Sequence, residues 1–298
     1  MVTELSFGQI LLHNKKLKQA SCFFASQIPQ EKRKEWSESF LKKALRGSTS
    51  KLKDTSLFLV LSQNCDIACR TDNIDSAVEV VICKKIRDKD VYAGNSFVKS
   101  VRKLQFKVGD NWYEANIDYI LHLDKQDLLE TIEAIEEFKI ISLMDEFAIS
   151  VPIWRANRYM RSALPDNFNI QLEPVLMKYI KPIEEAGSVE ITKGFSSYIK
   201  ALYVWVDSFE EKASYAFDFF ALLRDDTPPE VLTKIQDIIE SMASELEEEA
   251  GYKDDSDVYA GMGSNTLVSY LTKFVRLNLD SHSLSKGDSD LGLDKVIS

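Results

Sequence analysis

The stretch LFLVLSQNCDIAC, residues 57–69, decides how the first part of this chain folds. Five consecutive apolar residues, Leu57 to Leu61, predict a strand that is buried on both faces. The strand leads into a group of polar residues: Ser62, Gln63, Asn64, Cys65 and Asp66. A rigid strand that delivers a thiol, an amide and a carboxylate to its end is a common way to build a site. The alternative is an ordinary strand end, in which Asn64 and Asp66 bond their own backbone in an Asx turn.

Cys65 and Asp66 are the first functional candidates. A cysteine nucleophile needs a base, usually a histidine, and the chain has three histidines. His13 and His122 both fall at predicted strand ends of the same half, and His122 completes our candidate catalytic set. Asp66 has a simpler interpretation as the hydrogen-bond acceptor of a buried arginine, for which Arg102 is the candidate.

The four cysteines fit free thiols in the cytoplasm, since the N-terminal sequence lacks the order of a signal peptide. The close pair Cys65 and Cys69 has no second CxxC-like pair, which a zinc ribbon needs. Cys83 lies in an apolar alternation and is interpreted as a core residue. We therefore expect no metal and no cofactor. No apolar run is long enough to span a membrane, so we expect a cytoplasmic protein without a membrane partner.

The order of the predicted elements indicates an α+β protein of two domains. Residues 1–125 form a small β-barrel-like domain with a helical insertion over residues 30–53. Residues 126–285 form an α+β domain, and 286–298 a flexible tail. The predicted strands of the first domain are Phe7–His13, Leu57–Leu61, Ala77–Cys83, Lys103–Val108 and Trp112–Ile117. The second domain is predicted to contain helices over 125–148 and 151–166, strands Ser188–Val206 and Ser214–Leu223, and a helix capped by Thr227.

The net charge of −10 is unevenly distributed. Residues 1–125 hold 21 Lys and Arg against 15 Asp and Glu, whereas 126–298 hold 16 against 32. This asymmetry favours nucleic acid or another polyanion as a partner of the basic half and a protein as a partner of the acidic half. Within the basic half, Lys42, Lys43 and Arg46 form a tract on the insertion. The alternative is that the two halves attract each other, or that the acidic half keeps the protein soluble.

A second constellation is WRANRYMR, residues 154–161. On a helix, Trp154, Arg158 and Arg161 share one stripe, and Tyr159 lies on a neighbouring stripe. Arginine forms bidentate bonds to phosphates and also stacks on bases, so this pattern suits nucleic-acid contacts. The alternative is a linker helix whose arginines pair with the acidic residues of 130–137.

Three segments resemble the barrel of the MazF/PemK-type endoribonuclease toxins: GQIL at the start, then LVLSQN, then AVEVVICKKI. In those toxins a GD-I start is followed by an RP-x-L-V-x-S strand and a V-x-V-x-P-x-T strand. Here residues 54–56 replace the arginine-proline, and residues 83–85 replace the proline and threonine region. The resemblance implies the barrel fold without the catalytic residues of the toxins.

The whole chain also resembles an uncharacterised group of bacterial proteins with three ordered motifs. These are S-Q-x-C-D-I at 62–67, R-x-L at 102–104, and R-Y-x-R-x-A-[LF]-P-D at 158–166. Proteins of this group are similar to components of bacterial conflict and phage-defence loci. The resemblance implies a role for the matched residues Cys65, Asp66, Arg158, Tyr159, Arg161 and Asp166.

The sequence therefore predicts a cytoplasmic binding component of a multi-protein bacterial defence or conflict system. Its basic half contacts nucleic acid or another polyanion, and its acidic half contacts a protein partner. The alternative, from a different functional class, is a cysteine-dependent enzyme or small-ligand sensor centred on Cys65 and Asp66.

Overall fold

A computed structural model describes residues 5–71, 74–91, 102–160, 164–191 and 194–277. The fold class is α+β, as predicted. The chain divides into two compact units, the first Met1–Val91 with Val101–Tyr159 and the second mainly Met160–Ser298. The first unit thus continues past the boundary expected at residue 125. The expected tail, 286–298, lies outside the described residues.

The first unit is built on a strongly curled, six-stranded half-barrel in which neighbouring strands are antiparallel. The strand order is β4-β5-β3-β2-β1-β6. The strands are β1 (Ser21–Phe24), β2 (Leu57–Val60), β3 (Ala77–Ile86), β4 (Lys103–Val108), β5 (Asn111–Asp124) and β6 (Ile141–Ser142).

The central strand β2 confirms the prediction made from the apolar run. All four of its residues are buried, because both faces of the sheet are covered at this point. Phe23 of β1 stacks on Phe58 with ring centroids 4.9 Å apart, and Trp36 packs edge-on against Phe58 at 5.6 Å. A strand covered on both faces has no need of polar alternation, which explains the continuous run LFLV.

The prediction of a strand at Phe7–His13 is wrong. This segment is helix α1 (Phe7–Gln9), continued by a π-helical turn over Ile10–Asn14. Ser6 starts the helix with a capping box: its Oγ accepts from the Gln9 backbone N–H, and Gln9 Oε1 accepts from the Ser6 backbone N–H. These two bonds satisfy N–H groups that a helix start leaves open, so the local chemistry outweighs the strand-like composition.

The insertion is less helical than predicted. Helix α2 (Gln30–Trp36) has only seven residues and ends at Trp36, and short 3₁₀ turns follow it. The expected apolar face is largely confirmed, since Trp36, Phe40 and Leu45 are buried. Leu41 is 47% exposed instead.

The single helix predicted over 125–148 is interrupted. Its first part is helix α4 (Lys125–Glu133), which follows β5. An earlier short helix, α3 (Asn64–Ile67), follows β2. After α4 the chain forms β6, and α5 (Asp145–Met160) then begins and continues through Pro152. Leu128 of α4 and Val151 of α5 belong to the core of the first unit. Their burial there is why this unit extends beyond residue 125.

The second unit contains a four-stranded sheet of order β11-β10-β9-β12 and a separate β7–β8 hairpin. Strands β10 and β11 are parallel and are connected through α7, whereas β9 is antiparallel to both β10 and β12. The elements are α6 (Asp166–Gly187), β7 (Ser188–Ile191), β8 (Gly194–Ser197), β9 (Ile199–Val206), β10 (Phe217–Leu223), α7 (Pro229–Glu247), β11 (Val258–Met262), α8 (Val268–Leu271) and β12 (Val275–Arg276).

The two faces of this sheet have different surroundings. Val204, Phe217 and Phe219 share a core with α6 and α7, whereas residues at the alternating positions point to the other face.

The side-chain amide of Gln236 on α7 forms two hydrogen bonds with the backbone of β11. Its Nε2 donates to Val258 O at 2.7 Å, and its Oε1 accepts from Ala260 N at 2.5 Å.

Two further predictions for the second unit are wrong. The long strand expected over Ser188–Val206 is divided into β7, β8 and β9. Thr227 does not cap α7, because its hydroxyl donates to Arg224 O at 2.6 Å. Pro228 and Pro229 have no N–H groups, so the start of this helix has fewer donors for a threonine to satisfy. No helix among the described residues is long and apolar enough to cross a membrane.

Candidate functional site

The turn after β2 is fixed by two polar side chains that bond distant segments. Asn64 Oδ1 accepts from the Gln19 backbone N–H at 2.9 Å, and Ser62 Oγ accepts from the Glu79 backbone N–H at 2.8 Å. The Asn64 bond crosses to another part of the chain, so it is not the local Asx turn of the alternative interpretation. These bonds hold the turn against the half-barrel and place α3 at its surface.

Cys65 and Asp66 are both exposed on α3. The Cys65 thiol donates to Asp66 Oδ1 at 3.4 Å and to Gln63 Oε1 at 3.6 Å. The prediction that Asp66 pairs with a buried Arg102 is wrong, since Arg102 binds Asp118 instead, with 3.0 Å between Nη2 and Oδ2. The helical turn over Asn64–Ile67 leaves the Asp66 carboxylate at the surface.

The candidate catalytic set is not assembled. His122 lies in β5 opposite Glu79 of β3, and no hydrogen bond joins a histidine to Cys65 among the described residues. Burial raises the pKa of Cys22 to about 12 and raises the pKa of Cys83 as well, so neither is a reactive thiol. The described residues contain no group of three or more His, Cys, Asp or Glu that could hold a metal ion.

Lys125, which no sequence pattern singled out, fixes the backbone of the same turn. Its side chain is 1% exposed, and its Nζ donates to Asp66 O at 2.7 Å and Asp75 O at 2.5 Å. Gly8 lies against the same turn, where a Cβ would be 1.8 Å from Ile67 O. A lysine at the start of a helix carries no sequence signal for such a contact.

We expect Asp66→Ala to change the free energy of unfolding by less than about 0.5 kcal/mol, because the removed carboxylate is exposed and, among the described residues, bonds only the neighbouring Cys65 thiol. The control is Asp110→Ala, in the exposed turn between β4 and β5. Thermal melts of the two variants should superimpose. A clearly lower midpoint for Asp66→Ala would contradict the exposed position of this side chain and restore Asp66 as a buried, paired carboxylate.

Two of the predicted binding residues meet on one carboxylate. Lys42 Nζ lies 3.1 Å and Arg102 Nη2 lies 3.0 Å from Asp118 Oδ2. The Asp118 side chain is 16% exposed, whereas those of Lys42 and Arg102 are 36% and 25% exposed. Cations from the insertion and from the start of β4 therefore share a surface, although they are far apart in the sequence.

The insertion lies along β5 and brings further cations to this surface. Leu41 N donates to Ile120 O at 2.9 Å, which aligns the two segments. Arg46 Nε donates to Phe40 O at 3.1 Å, and Lys51 Nζ lies 5.2 Å from the centroid of the Tyr119 ring. We refer to the following residues as the basic surface: Lys42, Lys43, Arg46, Lys51 and Arg102.

The structure contradicts the predicted surface position of Trp154 in the WRANRYMR segment. Trp154 is 1% exposed in the first core, and its Nε1 has no hydrogen-bond partner among the described residues. Arg155 binds Glu79 at 2.5 Å, not the acidic residues of 130–137. The backbone of Arg158 and Tyr159 is helical, as part of α5, and Arg161 lies outside the described residues.

Asp166 is bonded through its backbone N–H to a side chain of the same unit. It is exposed at the start of α6, and the Glu211 carboxylate accepts from the backbone N–H groups of Asp166 at 2.6 Å and Asn167 at 3.1 Å. A helix start that could otherwise bind an anion is thus filled by a carboxylate of the same unit. Phe168, two residues on, is fully buried in the second core.

The basic character of the first unit is local. Its two segments, Met1–Val91 and Val101–Tyr159, hold 23 Lys and Arg against 22 Asp and Glu. The rest of the chain holds 14 against 25. Any attraction of the first unit for a polyanion therefore depends on how its cations cluster on the surface. The second unit, in contrast, has a clear overall excess of acidic residues.

Comparison of the chain with protein-family models, with curated proteins and with solved structures finds no match. No relative therefore assigns a role to any of these residues. The basic surface of the first unit is the candidate site that the geometry supports best.

Proposed function

We propose that this chain is a cytoplasmic binding component of a multi-protein bacterial defence or conflict system, and that its basic surface contacts nucleic acid or another polyanion. The observation that carries the proposal is the meeting of Lys42 and Arg102 on Asp118. The second unit, with its excess of acidic residues, contacts a protein partner. The motif resemblance at residues 62–67, 102–104 and 158–166 supports the defence setting.

Asp118 acts in this proposal as a positioning residue. It draws Lys42 and Arg102 together, so that the two cations lie at one place on the surface. Lys43 and Arg46 are exposed beside them. Cations held in place lose less side-chain entropy when a phosphate binds, which favours association with a polyanion.

The basic surface suits phosphates more than bases. Tyr119, the aromatic residue beneath Lys51, is 7% exposed and so presents no free ring for stacking. Stacking on aromatic side chains is the usual source of affinity for single strands. The proposal therefore expects contacts with the backbone of a duplex and little dependence on its sequence.

Replacing Lys42, Lys43 and Arg46 together with glutamine should weaken binding to a duplex of about 30 base pairs by about tenfold or more at low salt, because glutamine displaces no counterion from a phosphate. The slope of log affinity against log salt should become shallower by about 0.9 for each phosphate that is no longer neutralised. Fluorescence anisotropy of a labelled duplex measures both quantities.

The matched control replaces Lys34, Lys89 and Lys139 with glutamine, since these lysines are exposed and lie outside the basic surface. It makes the same change in net charge and should keep most of the affinity. The proposal is wrong if the native protein retains neither DNA nor RNA at low salt. Equal losses of affinity in the two triple variants would assign binding to net charge and not to this surface.

A further inference from the structure

The sheet of the second unit has an outer face, opposite α6 and α7, that carries aromatic rings around one carboxylate. Asp218 of β10 lies opposite Trp205 of β9, and Phe220 of β10 lies beside Tyr259 of β11. Asp218 and Phe220 are two residues apart on one strand and thus share this face. Side chains directly opposite each other on neighbouring strands approach within about 5 Å at Cβ, so Trp205 flanks the carboxylate.

Helix α8 adds a fourth ring to this face, that of Tyr270, and its first residues expose apolar side chains to solvent. The Tyr270 ring lies 5.6 Å from that of Phe220 and 6.3 Å from that of Tyr259, nearly perpendicular to both. Tyr259 is 49% exposed, and Leu267 and Val268 at the start of α8 are 73% and 77% exposed. Clustered exposed apolar residues of this kind mark interaction surfaces.

Asp218 lies in a locally negative environment. Its Oδ1 accepts from the Asp257 backbone N–H at 3.0 Å. Burial raises the pKa of Asp218, and the nearby carboxylates of Asp257 and Asp255 raise it further. No Lys or Arg forms an ion pair with Asp218 among the described residues. Arg276, a cation on the same face, donates to Lys200 O at 3.2 Å.

We propose that the outer face binds a lysine or arginine side chain of a partner protein, between the Asp218 carboxylate and the rings of Trp205, Tyr259 and Tyr270. A carboxylate beside aromatic rings is suited to an organic cation, because the ring faces and the carboxylate attract the same charge. Leu267 and Val268 supply apolar contacts for residues next to that cation. This proposal rests on the proposed function, since it specifies the surface for the protein partner.

Other ligands fit the outer face less well. The described residues hold no group of three or more ligating side chains suitable for a metal ion. A nucleic acid would be repelled by a unit with 25 acidic against 14 basic residues. A second copy of the chain would bring the same carboxylates against each other. A basic segment with apolar neighbours complements both the charge and the exposed side chains.

The test uses the full chain and two labelled peptides of leucine and glycine, one with a central arginine and the other with citrulline in its place. Citrulline keeps the shape of arginine and removes its charge. Anisotropy should show the arginine peptide binding at least about tenfold more tightly than the citrulline peptide, a ratio equal to about 1.4 kcal/mol. Asp218→Asn should reduce this preference to nearly one, and Tyr259→Ala should weaken binding of the arginine peptide.

Asp237→Asn is the control, because Asp237 is exposed on α7, which covers the other face. It should leave the preference for arginine intact, and circular dichroism checks that each variant folds. Equal binding of the two peptides, no binding of the arginine peptide, or an unchanged preference in Asp218→Asn each overturns the proposal. Duplex binding, measured on the same variants, should not change. A protein that binds the arginine peptide but no nucleic acid would refute the polyanion proposal alone.

Discussion

Replacing Lys125 with methionine should lower the free energy of unfolding of the first unit by about 2–5 kcal/mol. Methionine keeps most of the apolar stem but has no N–H donor. The carbonyl oxygen of Asp75 then loses the Lys125 bond, and that of Asp66 keeps the bond from the Cys69 backbone N–H at 3.3 Å but loses the bond to the charged donor. The 1% exposure of Lys125 shows that water has little access there. A hydrogen bond to a charged group contributes about 1.5–3 kcal/mol, and a buried polar group left unsatisfied costs about 1–3 kcal/mol, so the loss of the two Lys125 bonds accounts for this range.

Urea denaturation followed by tryptophan fluorescence measures the change, with Lys139→Met as the control. Lys139 is exposed, so its replacement should shift the midpoint little. We also expect the Lys125→Met variant to lose order in the turn that carries Cys65, which faster reaction of that thiol with a maleimide would show. Equal midpoints for the two variants would mean that the Lys125 bonds contribute nothing to stability.

The second large effect is expected for Gly8→Ala. The new Cβ would lie 1.8 Å from Ile67 O and 3.2 Å from Lys125 Cδ, and the first of these is backbone that cannot rotate away. Either α1 or the turn after β2 has to move. Overpacking of this kind costs about 1–3 kcal/mol and more where the backbone is displaced.

Gly109→Ala separates this clash from the general cost of replacing a glycine. Gly109 has φ of +58°, and a Cβ added there would meet no atom within 4 Å, so alanine suffers backbone strain alone, about 1 kcal/mol. Thermal melts should show the larger loss of stability for Gly8→Ala. When Gly8→Ala is combined with Lys125→Met, the loss of unfolding free energy should be smaller than the sum of the losses in the two single variants, because Gly8 and Lys125 support the same turn. A fully additive result would show that they act independently.

Strands β2 to β5 of the first unit were predictable because their signals are local, whereas the short strands β1 and β6 were not predicted. The run LFLV itself indicates burial on both faces, and the Gly109-Asp110 turn between β4 and β5 follows from the positive φ that glycine tolerates. The helix at Phe7–Gln9 was also predictable in principle. Ser6 and Gln9 have the capping-box spacing, but the apolar residues after them are equally typical of a strand, and the strand was the wrong choice.

The contacts of the candidate sites were less predictable, since they depend on tertiary structure. Arg102 was matched with the wrong carboxylate because the chain offers many acids, and the register of the β4–β5 pairing, in which Lys103 lies opposite Asn116, is what brings Asp118 to it. Trp154 was assigned to a surface stripe by its periodicity, yet it lies in the core, and periodicity does not say which side of a helix meets solvent. Lys125 was missed because its partners are backbone carbonyls, which have no sequence signature.

The two hydrogen bonds between the Gln236 side-chain amide and β11 limit how the second unit can associate with other molecules. β11 is the last strand of its sheet, and a strand in that position ordinarily offers unpaired N–H and C=O groups to a strand of another molecule. The Gln236 amide occupies Val258 O and Ala260 N, as a neighbouring strand would. A foreign strand can add to this edge only after that amide withdraws, so the unit is protected against fibril-like growth along this direction.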